Sequence, residues 1–213
     1  MKSGYYGIIF MMIRSRVRTV LAVVFSAVVV AFPSAQTPPS GRAVGPIVAK
    51  VTVDVYSDFQ CPHCRALAEQ TLPRVKQEYA LKDKIRLVHH DFPLSGHQYA
   101  KQAALFAAAA DRVGKFEQVS DVLFKQQDTW GANGKVEEAV DSVLTPAEAK
   151  KVRDLVKDPS VIAVVQRDID LGTRLNITST PTIIITKNLK SERVVGFVSY
   201  SILARYLDQQ LSQ

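Results

Sequence analysis

The chain has 213 residues, of which 47% are hydrophobic, and it carries a formal net charge of +7. This length is enough to bury a sizeable core, and it predicts one domain with an insertion rather than two independent domains. Four basic residues and no acidic residue lie in segment 1–35, so the rest of the chain carries only +3. Because that remainder is spread without basic runs, the charge argues against nucleic acid as a partner.

Segment 1–35 has the pattern of a signal peptide or an N-terminal anchor. Three arginines precede an apolar run, Val20–Phe32, and small, proline-rich residues follow it. The run has the length of a signal peptide and is shorter than a membrane span. Pro33 matches poorly the small residue expected three positions before a cut after Ala35, so both cleavage and retention as an anchor stay open.

A second apolar patch, "YYGIIFMMI", lies upstream of the arginines. It leaves Met1, Met11 and Met12 as alternative starts of translation, and the two later ones give a more conventional signal. With any of them, we expect the body of the protein in the periplasm or another extracytoplasmic compartment, where dithiols can be kept oxidised.

The next part of the chain predicts a strand, a helix and a second strand. Residues 36–46 are rich in proline and glycine and predict a linker. Valines alternate with more polar residues over Lys50–Asp58, which is typical of a strand. A helix with Pro62 in its first turn follows and is kinked at Pro73. The second strand covers Lys84–Phe92, and the three elements together imply a parallel pair of strands.

Residues 97–176 change in character and predict a separate block of about five helices. The β-branched run Thr182–Thr186 then predicts a buried strand, and Arg193–Phe197 a partner in a hairpin. An amphipathic helix over residues 199–211 closes the chain. The expected fold class is therefore α/β, with an all-helical insertion between the second strand and the strand that follows Pro181.

The motif "SDFQCPHCRAL" holds both cysteines of the chain. The predicted helix places Cys61 at its N-terminus, where free N–H groups and the helix dipole stabilise a thiolate. Cys64 follows one turn later and can resolve a mixed disulfide formed at Cys61. A protonated His63 between them would lower the pKa of Cys61 further and make the disulfide more oxidising. This pattern favours a redox pair.

Two other interpretations of the cysteines are weaker. A disulfide between residues three positions apart closes so small a loop that it stabilises little. A structural zinc site needs four ligands, and a metal-binding carrier would have to recruit histidines without the usual ligand spacing. The candidate ligands are His63, His89, His90 and His97.

The motif "DFQCPHC" after a valine-rich strand, the helical block, and then "STPTIIIT" resemble the DsbA-like family of thioredoxin-fold thiol-disulfide oxidoreductases. "DFPLSGHQYAKQAALFAAAA" and "GKFEQVSDVLFKQQDTW" resemble the helical insertion of this family. The resemblance covers residues 47–211 and implies a thioredoxin-like fold with no cofactor.

The resemblance also implies roles for individual residues. Cys61 is the exposed nucleophile and Cys64 the buried resolving thiol of a Cys61–Cys64 disulfide, with Pro62 and His63 completing the motif. Thr180-Pro181 becomes a cis-proline loop that faces the disulfide, and its backbone can pair with an extended substrate peptide. Read without the resemblance, Pro181 is an ordinary proline at the start of a strand.

Asp54 is a candidate proton acceptor, because enzymes of this fold often bury an acid beneath the resolving cysteine. It lies opposite in phase to the valines of a strand expected to be central, where burial would raise its pKa and suit proton transfer. The alternative is a solvent-facing residue of the same strand.

The function expected from these features is a dithiol oxidase that introduces disulfides into exported proteins. Its partners would be unfolded or reduced exported polypeptides and a membrane reoxidant of the quinone-linked type, with the enzyme itself a monomer. A disulfide isomerase or reductase of the same fold, and a periplasmic metal-binding carrier, are the alternatives.

Overall fold

The structure, a computed structural model, describes residues 40–212. Five strands form one mixed sheet: Ala43–Val44 (β1), Val51–Ser57 (β2), Arg86–Asp91 (β3), Thr182–Lys187 (β4) and Lys190–Val195 (β5). Their order is β1-β3-β2-β4-β5. β2 and β3 are parallel, as the strand–helix–strand pattern predicts, and the other neighbours are antiparallel, including the β4–β5 hairpin.

Helices connect and cover the strands. Between β2 and β3 lie Pro62–Gln70 (α1), Leu72–Glu78 (α2) and a 3₁₀ turn, Ala80–Lys82. The insertion contains six helices where about five are predicted: Ala100–Asp111 (α3), Phe116–Lys125 (α4), Gln127–Asn133 (α5), Val136–Asp141 (α6), Pro146–Leu155 (α7) and Pro159–Arg174 (α8). The chain closes with Tyr200–Ser212 (α9). The protein therefore has a thioredoxin-like α/β fold with its helical insertion between β3 and β4.

The crossover helix is broken at Thr71 rather than kinked at Pro73. The Thr71 hydroxyl donates to the carbonyl of Val198 at 2.8 Å, which ties the break to the segment before α9. Pro73 lies in the first turn of α2, where a proline is tolerated because that N–H has no helical partner.

Successive side chains of β2 point to opposite faces of the sheet, and each face is covered by different helices. Val51, Val53 and Val55 are at most 1% exposed and pack with side chains of α1, α2 and α9. Tyr56 points to the other face and packs with Phe92 and side chains of α8. A Cβ on Gly172 of α8 would lie 2.5 Å from the Phe92 ring, so only glycine allows this close approach.

Residues 40–46 belong to the folded domain, so the predicted linker is wrong over this part. β1 pairs with the edge strand β3, and the Gly41 amide donates to Asp111 at 2.7 Å. Arg42 is buried between Asp91, at 2.6 Å, and Asp168. A buried guanidinium held by two carboxylates fixes this segment in place. The domain thus begins at or before residue 40, not at residue 47.

The expected signal peptide or anchor, 1–35, and the alternative start methionines lie outside the described residues. Positions 36–39 of the expected linker also lie outside them. Within residues 40–212, no helix combines the length and the apolar character needed to cross a bilayer.

A largely buried polar cluster joins the residue before β1 to β2, β3 and α8. His90 lies between two carboxylates, with Nε2 2.9 Å from Asp54 Oδ1 and Nδ1 3.2 Å from Asp168 Oδ1. Arg42 bridges Asp168 to Asp91. Burial lowers the pKa of His90, but the hydrogen bonds and charges of the two carboxylates outweigh it and raise the pKa to about 9. The imidazolium therefore contributes to the stability of the fold at neutral pH.

We predict that replacing His90 by Gln removes a pH-dependent part of the stability. The folded-state pKa is near 9, whereas an unfolded imidazole titrates near ~6.5. The stabilisation is therefore complete below the unfolded value and is lost as the pH rises through the folded value. Urea unfolding of both reduced proteins should show the margin of wild type over His90→Gln shrinking by up to about 3 kcal/mol between pH ~6 and ~10. Cys61 titrates in both proteins and cancels, so a constant margin would contradict the prediction.

Candidate active site

The two cysteines lie where β2 passes into α1. Cys61 is the N-cap of α1 in an extended conformation (φ −84°, ψ 123°), and Pro62 occupies the first turn. The Cys61 amide donates to the carbonyl of Asp58 at 3.1 Å, which closes the preceding turn. The sulfur of Cys61 therefore lies beside helix amides that have no helical partner, at the positive end of the helix dipole.

Cys61 is held as a thiolate at neutral pH although it is largely buried. It is only 6% exposed, where the resemblance implied an exposed nucleophile. Its pKa falls to about 5, mainly because the Cys64 thiol donates a hydrogen bond to its sulfur. Burial opposes this, while the backbone amides of Cys64 and His63 and the Thr180 hydroxyl lower the pKa further. These donors outweigh the cost of burying the charge.

Cys64 retains its proton. It is 1% exposed, and burial raises the pKa of its thiol well above the ordinary value. The hydrogen bond that it donates to Cys61 and the charge of that sulfur raise the pKa further. The Asp58 amide, 3.4 Å from Cys64 Sγ, and the Ser57 hydroxyl act in the opposite direction. The two sulfurs thus differ in charge and in burial: that of Cys61 is anionic and slightly exposed, and that of Cys64 is neutral and enclosed.

The Thr180-Pro181 peptide is cis and faces Cys61, in the arrangement that the resemblance implies. When it is protonated, Cys61 donates from Sγ to the carbonyl of Thr180 at 3.3 Å. In this form the Thr180 hydroxyl is buried without a partner among the described residues. Its O–H is therefore available to the thiolate, whose pKa it lowers. β4 begins directly after this loop, which explains how a segment 119 residues away in sequence reaches the cysteine.

Pro62 and His63 are both exposed at the start of α1. The contribution of His63 to the lowered pKa of Cys61 comes from its backbone N–H rather than from the imidazolium expected from the sequence.

Asp54 lies elsewhere, so its predicted position beneath Cys64 is wrong. Alternation along β2 places it on the face covered by α8, where its carboxylate bonds His90. Near Cys64, the hydroxyl of Ser57 at the end of the same strand acts to lower the pKa of the thiol.

Sequence reasoning assigned no role to Asp58, which lies three positions before Cys61. Its side chain is fully buried and accepts from the amides of Gln60, at 2.7 Å, and Leu94, at 2.8 Å. Its other contact is with His97 Nδ1, at 2.7 Å. The capping function was foreseeable from its place before the motif, but the burial depends on the loop after β3.

Gln127 of the insertion is the second missed residue. Its Nε2 donates to the carbonyls of Phe59, at 2.7 Å, and Cys61, at 3.0 Å, and the residue is 3% exposed. An ion pair at 2.8 Å between Arg65 and Asp128 joins the same two elements. The helical insertion thereby holds the cysteine loop in place. No signal in the sequence marks a glutamine 66 residues beyond Cys61 for this role.

The candidate metal ligands are dispersed. In the region that the structure describes, no three or more His, Cys, Asp or Glu side chains form a group that could hold a metal ion. His89 bonds Asp91, at 3.0 Å, while His90 and His97 are committed to the carboxylates described above.

A family model described as Thioredoxin matches residues 37–199. The chain belongs to the thioredoxin family. The residues matched by the thioredoxin family model include β1, in agreement with the finding that residues 40–46 belong to the folded domain.

Comparison with individual proteins places this thioredoxin-family chain among disulfide-forming relatives. It is 25% identical over 181 residues to the "Probable disulfide bond formation protein D" of Bacillus anthracis, covering 81% of this chain and 79% of the relative. Oxidised BdbD from Bacillus subtilis superposes with a TM-score of 0.66 at 20% identity, covering 81% and 93% of the two chains. Alpha-DsbA1 from Wolbachia pipientis gives 0.66 at 18% identity, covering 82% and 92%.

The thioredoxin-family chain is thus a DsbA-like thiol-disulfide oxidoreductase. The comparisons support this class, and the paired sulfurs at the helix N-terminus are the groups that such exchange requires.

We predict that Cys64→Ala raises the pKa of Cys61 by about one to two pH units, because the strongest donor to its sulfur is removed. Cys64→Ser is the matched control: its hydroxyl can still donate, so the rise should be less than half as large. Ultraviolet absorbance of the thiolate, followed through an acid titration of each reduced protein, gives the pKa. An unchanged pKa in Cys64→Ala would show that the helix amides alone stabilise the thiolate.

Proposed function

We propose that the protein is an extracytoplasmic dithiol oxidase that donates its Cys61–Cys64 disulfide to exported polypeptides. The observation that carries the proposal is the lowered pKa of Cys61, about 5. A stabilised thiolate stabilises the reduced form of the enzyme, so the disulfide form more readily accepts electrons.

The reaction starts with attack of a client thiolate on the Cys61 sulfur of the enzyme disulfide. The S–S bond of the enzyme breaks, a mixed disulfide forms at Cys61, and Cys64 leaves as a thiolate that takes up a proton. A second client thiolate then attacks the client sulfur of the mixed disulfide. Cys61 departs as a thiolate, the client holds a disulfide, and the enzyme has gained two electrons and one proton on Cys64.

Each step is favoured by a feature of the site. Cys61 is the more accessible sulfur, 6% exposed against 1% for Cys64, so attack falls on it. Its low pKa makes it a good leaving group in the second step. The high pKa of Cys64 favours protonation after the first step, with the Ser57 hydroxyl beside it. The client backbone would lie along the Thr180 loop, as a peptide pairs with a strand edge.

The proposed direction of electron flow follows from the size of the pKa difference between Cys61 and the reactive cysteine of thioredoxin. The pKa of Cys61, about 5, is roughly two units below the ~7 of thioredoxin. Each unit is about 1.4 kcal/mol, or about 30 mV in a two-electron couple. The expected potential is therefore about 60 mV less negative than that of thioredoxin, which favours oxidation of clients over their reduction.

Export and partners complete the proposal. The positive flank and apolar run of segment 1–35 support secretion by a signal peptide, or retention by an uncleaved anchor. After each turnover a membrane reoxidant of the quinone-linked type would accept two electrons from the Cys61–Cys64 dithiol. The enzyme would act as a monomer on reduced or unfolded exported chains, and the name of the Bacillus anthracis relative supports disulfide formation as the outcome.

We predict a reduction potential between about −210 and about −120 mV, measured by equilibration with glutathione buffers. Gln127→Leu keeps both cysteines but removes the hydrogen bonds to the Phe59 and Cys61 carbonyls. A changed potential of this variant in the same assay would show that these bonds position the cysteine loop. A wild-type value near the ~−270 mV of thioredoxin would assign the protein as a reductase.

We also predict that Cys64→Ala, with Cys61 first converted to its mixed disulfide with glutathione, accumulates mixed disulfides with a reduced single-cysteine client. The client thiolate displaces glutathione from Cys61, and no Cys64 thiol remains to displace the client. Cys61→Ala is the matched control and should capture none, since the remaining sulfur is enclosed. Non-reducing electrophoresis with and without dithiothreitol detects the adducts. Absence of adducts from Cys64→Ala would contradict the oxidase, and refolding of a scrambled multi-disulfide protein faster than by oxidant alone would favour an isomerase.

A further inference from the structure

Three loops share the end of the sheet that is opposite to the cysteines. They are residues 45–50, 80–86 and 187–190, called here the distal loops. Val51 at the start of β2 pairs with Lys187, and Arg86 Nη1 donates to the carbonyl of Gly45 at 3.2 Å, so the loops are neighbours. Cys61 follows the other end of β2. Seven strand residues at ~3.3 Å each place the distal loops more than about 20 Å from the redox site.

The distal loops expose aliphatic side chains at their tips. Ile47 is 85% exposed, Val48 93%, Leu81 53% and Leu189 99%. Leu189 is also held at φ 63°, beside Asn188 at φ 47°, in a two-residue turn where glycine or asparagine is preferred. A fully exposed leucine in a left-handed conformation gains nothing from packing, so the fold itself does not explain it.

Positive charge is concentrated at the same end. The distal loops contain six basic residues against a single acid, Asp83, which is a net charge of +5. Residues 36–213 carry +3 in total, so the part of this segment outside the distal loops has a net charge of −2. The charges that look evenly spread along the sequence are thus gathered by the fold. The six basic residues are Lys50, Lys82, Lys84, Arg86, Lys187 and Lys190.

We propose that the distal loops dock on a bilayer that contains anionic phospholipids. Aliphatic tips that enter the headgroup region, surrounded by lysines that meet lipid phosphates, are the combination that binds such a surface. A protein partner fits less well, because protein interfaces are enriched in aromatic residues and arginine and depleted in lysine. Docking in this way points Cys61 away from the membrane, toward chains in the aqueous phase, so reoxidation by a membrane partner would take place in the undocked state.

The proposal does not depend on the direction of electron flow. Vesicle docking and redox potential are measured separately, so either proposal can fail while the other stands. Trp130 is the sole tryptophan of the chain and is fully buried, which leaves fluorescence of an introduced tryptophan as a local probe.

The test introduces Leu189→Trp into the full chain and adds vesicles of phosphatidylglycerol and phosphatidylcholine with brominated acyl chains. We expect a blue shift and quenching of the new tryptophan. Val195→Trp is the matched control: Val195 is 59% exposed and pairs with Thr182, next to the cis-proline loop, so its emission should not change. Any contribution of segment 1–35 is common to both variants and cancels in the comparison.

Charge variants test the electrostatic part. Adding Lys82→Gln or Lys190→Gln to Leu189→Trp should lower the ratio of docked to undocked protein about fivefold each. Lys101→Gln, an exposed residue of α3, should leave it unchanged. Water-like emission at position 189 in anionic vesicles would overturn the proposal, and so would equal quenching in vesicles of phosphatidylcholine alone. Retained disulfide exchange activity confirms that each variant is folded.

Discussion

The chemistry of this protein depends on stabilising a negative charge on one sulfur that is largely enclosed. Cys61 is the N-cap of α1, so unpaired helix amides and the Cys64 thiol donate to it at once. The helix amides and the Cys64 thiol both lower the pKa of Cys61, and together they outweigh the rise that burial causes. The position of α1 after the central strand β2 makes this arrangement possible, and the cis-proline loop and Gln127 hold the remaining sides.

A second buried set of charges keeps that frame rigid. Arg42, Asp91, Asp168 and His90 join the first strand, the sheet and α8 through hydrogen bonds that satisfy each charge. Breaking one partner in such a cluster leaves another charge buried and uncompensated, which is strongly destabilising. The cluster therefore attaches both the N-terminal segment and the insertion to the face of the sheet that does not carry α1.

The two ends of the sheet have different physical characters. At one end, the C-terminus of β2 and the start of β4 converge on a site with a thiolate, a neutral thiol and a buried hydroxyl. At the other, exposed aliphatic side chains and lysines meet on three loops. This polarity would let one end meet a charged surface while the other exchanges electrons with clients.

The sequence by itself determined the strand–helix–strand unit, the helical insertion and the redox pair. These features rest on local periodicity and on a motif within four residues, which a linear pattern expresses directly. The resemblance added the cis-proline loop. Only the tertiary structure decided that residues 40–46 are folded, that Asp54 pairs with His90, and that Gln127 reaches the cysteine loop. Those contacts join residues from 36 to 126 positions apart, and their geometry depends on packing of the whole chain rather than on local spacing.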